Sequence, residues 1–191
     1  MAISIERKTN ETSISAEFDI GSEPKVDIET GVPFFDHMLH AFAFHGRIHC
    51  SIRAQGDIEI DPHHLVEDVG IVLGECIAAY VDKHGPVVRY GHSTIPMDDA
   101  LSSAVVDIGG RPYLVYHANY PQERVGDFDV SLVREFLLGL TTHGKLNLHA
   151  DCRYGENSHH MIEALYKAMG RAISVACSPA TGGIVSTKGV L

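Results

Sequence analysis

The feature that most constrains this chain is an internal repeat. Asp36-His37-Met38-Leu39, then His45-Gly46, then His63-His64-Leu65-Val66-Glu67 returns later as Arg134-Glu135-Phe136-Leu137, His143-Gly144 and His159-His160-Met161-Ile162-Glu163. The two copies are offset by 98 residues at the His-Gly pair and by 96 at the His-His pair, so one connection is two residues shorter in the second copy. A duplication of this length implies two half-domains of similar size, about 1–88 and 89–191, forming one catalytic unit.

The order of elements also repeats. Residues 2–8, 12–20, 47–54 and 57–60 alternate or are rich in β-branched residues and predict strands, with helices over 32–45 and 63–82. In the second half, strands are expected near 87–96, 101–108, 111–118 and 145–152, with helices over 129–143 and 157–177. The Gly-, Ser- and Thr-rich tail from Ser178 reads as a surface segment. Several strands followed by helix–strand–helix, twice, predict an α+β fold of mixed sheet with helices layered on it.

Composition narrows the function classes. The 191 residues are 45% hydrophobic and carry a net charge of −10, which argues against nucleic acid as a partner without excluding a small anionic ligand. No apolar run is long enough for a membrane span, and the N-terminal run lacks the basic-then-apolar order of a leader, so the expectation is a cytoplasmic enzyme. The four cysteines form no C-x-x-C pair and read as reduced, mostly buried thiols.

Among the 13 histidines, the chemistry concentrates in the two His-His-x-x-Glu motifs. At a helix start the first histidine lies four residues, and the second three, from the glutamate, so both share a face with it. The two histidines diverge by about 100° around the axis and offer ligands in two directions. Imidazole nitrogen with carboxylate oxygen and no thiolate suits manganese, iron or zinc rather than calcium. Six candidate ligands are too many for one open catalytic ion. His37 and Glu135, at equivalent points of the earlier helix, would extend the set to eight. His45 and His143 each precede a glycine and read as helix C-terminal residues. The pattern differs from H-E-x-x-H, in which the glutamate sits between the histidines. A hydrolase with a single zinc and a non-catalytic metal-storage or binding module are the alternatives.

Thr30-Gly31-Val32-Pro33-Phe34-Phe35-Asp36-His37-Met38-Leu39, Gly56-Asp57-Ile58-Glu59-Ile60-Asp61-Pro62-His63-His64, Ile95-Pro96-Met97-Asp98, Asp107-Ile108-Gly109-Gly110-Arg111-Pro112, Asn157-Ser158-His159-His160 and Ser186-Thr187-Lys188-Gly189-Val190-Leu191 run in order along nearly the whole chain. On this ordered set the sequence resembles the imidazoleglycerol-phosphate dehydratase family. The resemblance implies duplicated half-domains of the ribosomal protein S5 domain 2-like kind, a 24-subunit homo-oligomer with active sites between subunits, and two Mn²⁺ ions per active site. It implies as metal ligands His37, His63, His64, Glu67, Glu135, His159, His160 and Glu163, although position 135 is often histidine in the family. A phosphorylated small-molecule substrate would be held by Arg89, Arg111, Lys167, Ser186 and Lys188. Glu11 would lie near the reacting carbon and, with Glu163, handle protons. His40-Ala41 stands where the family has Asp-Gln, and Pro62 where aspartate is common.

Overall fold

A computed structural model of the chain describes residues 2–21 and 23–181. The expected surface tail lies outside these residues from 182 onward, and with it Ser186 and Lys188. The first half runs β1 (Ile3–Lys8), β2 (Thr12–Ile20), β3 (Val26–Glu29), α1 (Pro33–Gly46), β4 (Ile48–Gly56) and α2 (His63–His84). The second runs β5 (Tyr90–Met97), β6 (Ala100–Asp107), β7 (Tyr113–His117), β8 (Arg124–Val125), β9 (Phe128–Asp129), α3 (Leu132–His143), β10 (Asn147–Tyr154) and α4 (Ser158–Ala176).

Two sheets result, ordered β1-β2-β4-β3 and β5-β6-β10-β7. They have the same topology: the last strand of each (β3, β7) pairs in parallel, the other pairings being antiparallel. The β8–β9 hairpin is an addition of the second half. Each sheet alternates sides. Ile14, Ala16 and Phe18 of β2 and Ala104 and Val106 of β6 are buried, whereas Val105 on the opposite side of β6 is half exposed. Helices cover the buried face, with α2 on β2 and α4 on β5 and β6. The two helical layers meet each other, α1 against α4 and α2 against α3, so one continuous core joins both halves.

The helix contacts are close enough to need glycine. A Cβ at Gly170 would stand 2.0 Å from the Phe42 carbonyl oxygen, and one at Gly70 would stand 2.4 Å from that of Phe136. Both are positions where backbone meets backbone without a side chain between.

Two sequence expectations are corrected. Residues 57–60 form a turn, with Ile60 N–H bonded to Asp57 O and both Ile58 and Ile60 exposed. Their apolar–polar–apolar order imitates a strand, but among the described residues no strand pairs with it. The helix expected from 129 begins at Leu132, because Phe128 and Asp129 pair with Val125 and Arg124. The strand β3 was not anticipated, since four residues on a sheet edge carry too short an alternation to stand out. All four cysteines are free and buried.

Candidate metal centre

Pro33 opens α1 and places His37 on its second turn. Asn157 caps α4, its side chain accepting from His159 N–H at 2.9 Å, which sets the helix start and so the direction of the His-His pair. His159 and Glu163 are one turn apart, with Nε2 and Oε2 3.0 Å from each other. Packing of α1 on α4 brings His37 Nε2 to 3.3 Å from the same Oε2. Among the described residues, these three form the one group of at least three metal-type donors, all within 4.8 Å of one another. Its members come from both halves of the chain.

Glu163 is 7% exposed. Burial alone would raise its carboxyl above the usual range, but the hydrogen bond and charge of Lys167, joined by the His159 hydrogen bond, outweigh burial and hold it lower. It therefore stays an anion, the form a metal requires.

The first motif has its own arrangement. His63 Nε2 lies 3.8 Å from Glu67 Oε2. His64 is turned to a different set: its Nδ1 is 3.0 Å from Asp57 Oδ2 and 3.8 Å from Glu11 Oε2. The Asp57 hydrogen bond raises the His64 imidazole above its ordinary pKa. In the second motif His160 Nδ1 lies 2.5 Å from Asp99 Oδ1, and Asp98 Oδ2 is 3.8 Å from its Nε2. The Asp99 carboxyl is pulled down to about 2 by the His160 hydrogen bond and by the backbone N–H groups of Glu156 and Asn157.

Glu135 sits on the first turn of α3, the helix that packs on α2, and accepts from Arg134 Nη1 at 3.4 Å. The eight expected ligands therefore divide into one compact triad, a His63–Glu67 pair, two aspartate-held histidines, and Glu135 beside Arg134.

The expected phosphate cations are equally divided. Lys167 lies at the triad, its Nζ 2.7 Å from Glu163 Oε1. Arg89 stands at the other end of α4. Its N–H donates to Ala176 O, its guanidinium donates to both Asp107 oxygens at 2.7 and 3.3 Å, and it lies over the Tyr90 ring. At 1.5 Å rise per residue, α4 separates His159 from that end by roughly 25 Å. Arg111 is exposed just past β6, and its carbonyl accepts from Asn147 Nδ2. Arg89 and Arg111 thus share one end of the second sheet, and the metal donors lie at the opposite end. Asp57 and Asp99 were missed in the sequence because neither holds a fixed spacing to its histidine. Their only signal was their place within or beside the segments quoted above.

The profile of the family described as imidazoleglycerol-phosphate dehydratase matches residues 30–173. The imidazoleglycerol-phosphate dehydratase of Pelobacter propionicus is 52% identical over 190 residues, covering 98% of this chain and 97% of its own. That of Clostridium botulinum is 49% identical over 187 residues, covering 97% and 95%. The crystal structure of the Staphylococcus aureus enzyme superposes with a TM-score of 0.85 at 39% identity, covering 94% of this chain and 100% of that one. The Pyrococcus furiosus enzyme, solved in complex with (S)-C348, gives 0.86 at 38% identity, covering 98% and 100%.

Proposed function

Because the chain belongs to the imidazoleglycerol-phosphate dehydratase family and is thereby a hydro-lyase of histidine biosynthesis, we propose that it dehydrates D-erythro-imidazoleglycerol phosphate to imidazole-acetol phosphate at a site holding two Mn²⁺ ions. The observation that carries the metal reading is the triad of His37, His159 and Glu163: two imidazole nitrogens and one anionic oxygen within 4.8 Å. That donor set fits manganese, and His63, His64, Glu67, Glu135 and His160 would complete two shells. When bound, the two ions would supply Lewis acidity to the substrate's ring nitrogens, so that the ring can take up electrons released at the neighbouring carbon.

The chain's own groups do the rest. In this reading Glu11, on the β1–β2 turn beside His64, takes the proton from that carbon. Glu163 shares in handling protons while Lys167 keeps it anionic. Loss of the proton and of the hydroxyl leaves an enol, which tautomerises to the ketone. Arg89, Arg111, Lys167, Ser186 and Lys188 would anchor the phosphate and hold the glycerol chain in register. Arg89 and Arg111 stand far from the triad of their own chain. The separation supports sites assembled between subunits, here in a 24-subunit shell of half-domain pairs 1–88 and 89–191. No helix among the described residues is long and apolar enough to cross a membrane, and a cytoplasmic location belongs to the same proposal.

The test is turnover of imidazoleglycerol phosphate by metal-stripped protein with Mn²⁺ added back, with metal content and particle mass measured in parallel. The expected result is about two manganese per chain, manganese-dependent product and a particle of 24 chains. One tightly held zinc per chain, or product formation unaffected by metal removal, would overturn the two-manganese site. A stable, active monomer would overturn the shared one.

A further inference from the structure

We propose that Asp57 and Asp99 are positioning residues, each accepting a hydrogen bond from Nδ1–H of the second histidine of its motif so that Nε2 of His64 and of His160 is left as the metal donor. The inference rests on the two-metal reading above and assigns a role to two carboxylates outside the ligand set.

Four observations carry it. Both second histidines make the same contact, Nδ1 to an aspartate oxygen, at 3.0 Å for His64 and 2.5 Å for His160. The acceptors come from different places. Asp57 follows β4, whereas Asp99 lies in the β5–β6 turn, the topological counterpart of the β1–β2 turn that carries Glu11. The contact is therefore retained across the duplication although the residue making it has changed position, which simple inheritance of the repeat does not explain. Asp99 is also held independently of its histidine. Asp99 Oδ2 accepts from Glu156 and Asn157 N–H, and Asp57 keeps its second oxygen buried, with no hydrogen-bond partner among the described residues. Finally, the first histidines need no such partner, because His63 and His159 already face the glutamate one turn on through Nε2.

The physical consequence is local. An imidazole carries one proton in its neutral form, and a carboxylate at Nδ1 keeps that proton there, fixes the ring plane and makes Nε2 more basic. Glu11 at 3.8 Å is beyond hydrogen-bond reach of the His64 Nδ1, and Asp98 approaches the other edge of His160. Neither duplicates the role.

The experiment is Mn²⁺ titration of the metal-stripped full chain, followed by the free-ion signal in electron paramagnetic resonance. Wild type, Asp57→Ala, Asp99→Ala, His160→Ala and the Asp99→Ala/His160→Ala double variant are compared. Each aspartate variant should weaken one of two sites by about 10–100-fold and leave the other intact. Asp99→Ala should cost nothing further once His160 is gone. Asp99→Asn, which keeps an acceptor oxygen and serves if the alanine variant fails to fold, should lose less than Asp99→Ala, or less than His160→Ala. Unchanged affinity in the aspartate variants, or an equal loss from Asp99→Ala with and without His160, overturns the positioning role while the two-metal reading stands. A wild-type chain that takes up no Mn²⁺ overturns the two-metal reading and this inference with it.

Discussion

Lys167 donates to Glu163 across one turn of α4: Nζ lies 2.7 Å from Oε1, leaving Oε2 to face His159 and His37. One carboxylate thus has a cation on one oxygen and two imidazoles on the other. Lys167→Met removes the group that offsets burial, so the Glu163 carboxyl rises. A metal binds the anion, hence the acid limb of Mn²⁺ binding shifts to higher pH in the variant. An acid limb identical to wild type, measured by Mn²⁺ titration from pH 5 to 8, would leave Lys167 to the phosphate alone.

Glu11 stands on the exposed β1–β2 turn, its backbone N–H bonded to Thr9 Oγ1 at 3.1 Å and its carboxylate 3.8 Å from His64 Nδ1. Its side chain bears little of the fold, so Glu11→Gln should melt like wild type and bind Mn²⁺ normally. Loss of a general base lowers turnover by about 10²–10⁴. Near-normal kcat removes Glu11 from the chemistry.

At Gly170 the α1 backbone comes so close that a methyl group would overlap the Phe42 carbonyl. Gly170→Ala should cost roughly 1–3 kcal/mol in urea unfolding as the helices are forced apart. The same displacement draws His37 from Glu163, so Mn²⁺ affinity should fall although no ligand has changed. A destabilised variant with unaltered affinity would separate helix spacing from the triad.

Asp129 leads into α3, accepting from Ser131 N–H at 2.9 Å and Ser131 Oγ at 2.6 Å. These bonds, the hydroxyl's first, hold its carboxyl below the ordinary value. A depressed carboxylate contributes stability above its unfolded pKa of about 3.9, and the contribution is lost as pH falls through the lower folded value. Asp129→Ala should therefore cost roughly 0.5–1 kcal/mol at pH 7, the low end for a helix-start contact at an exposed site. In urea melts the gap between variant and wild type should close as pH falls below about 3.9. A gap that persists unchanged at acid pH assigns the loss to something other than the ionised carboxylate.

Much of the architecture was legible. The repeated His-His-x-x-Glu motif marked the duplication, and the identical strand orders of the two sheets carry it through the fold. Helices α1, α2 and α4 lie within two residues of their expected bounds because their apolar spacing is long and regular. Edge strand β3 and the turn at 57–60 were not legible, since pairing with a neighbour, rather than alternation, decides whether four residues become a strand.

By itself the sequence determined the donor types, the i,i+4 neighbours His159–Glu163 and His63–Glu67, and the family, because helical period makes such pairs adjacent in any fold that keeps the helix. Tertiary structure alone decided that His37 joins the second motif across 126 residues, that Asp57 and Asp99 hold the second histidines, and that Arg89 faces Asp107 at the far end of α4. Those contacts depend on how closely whole helices and sheets approach. That distance is set by buried packing at sites such as Gly170, remote in sequence from the residues it brings together.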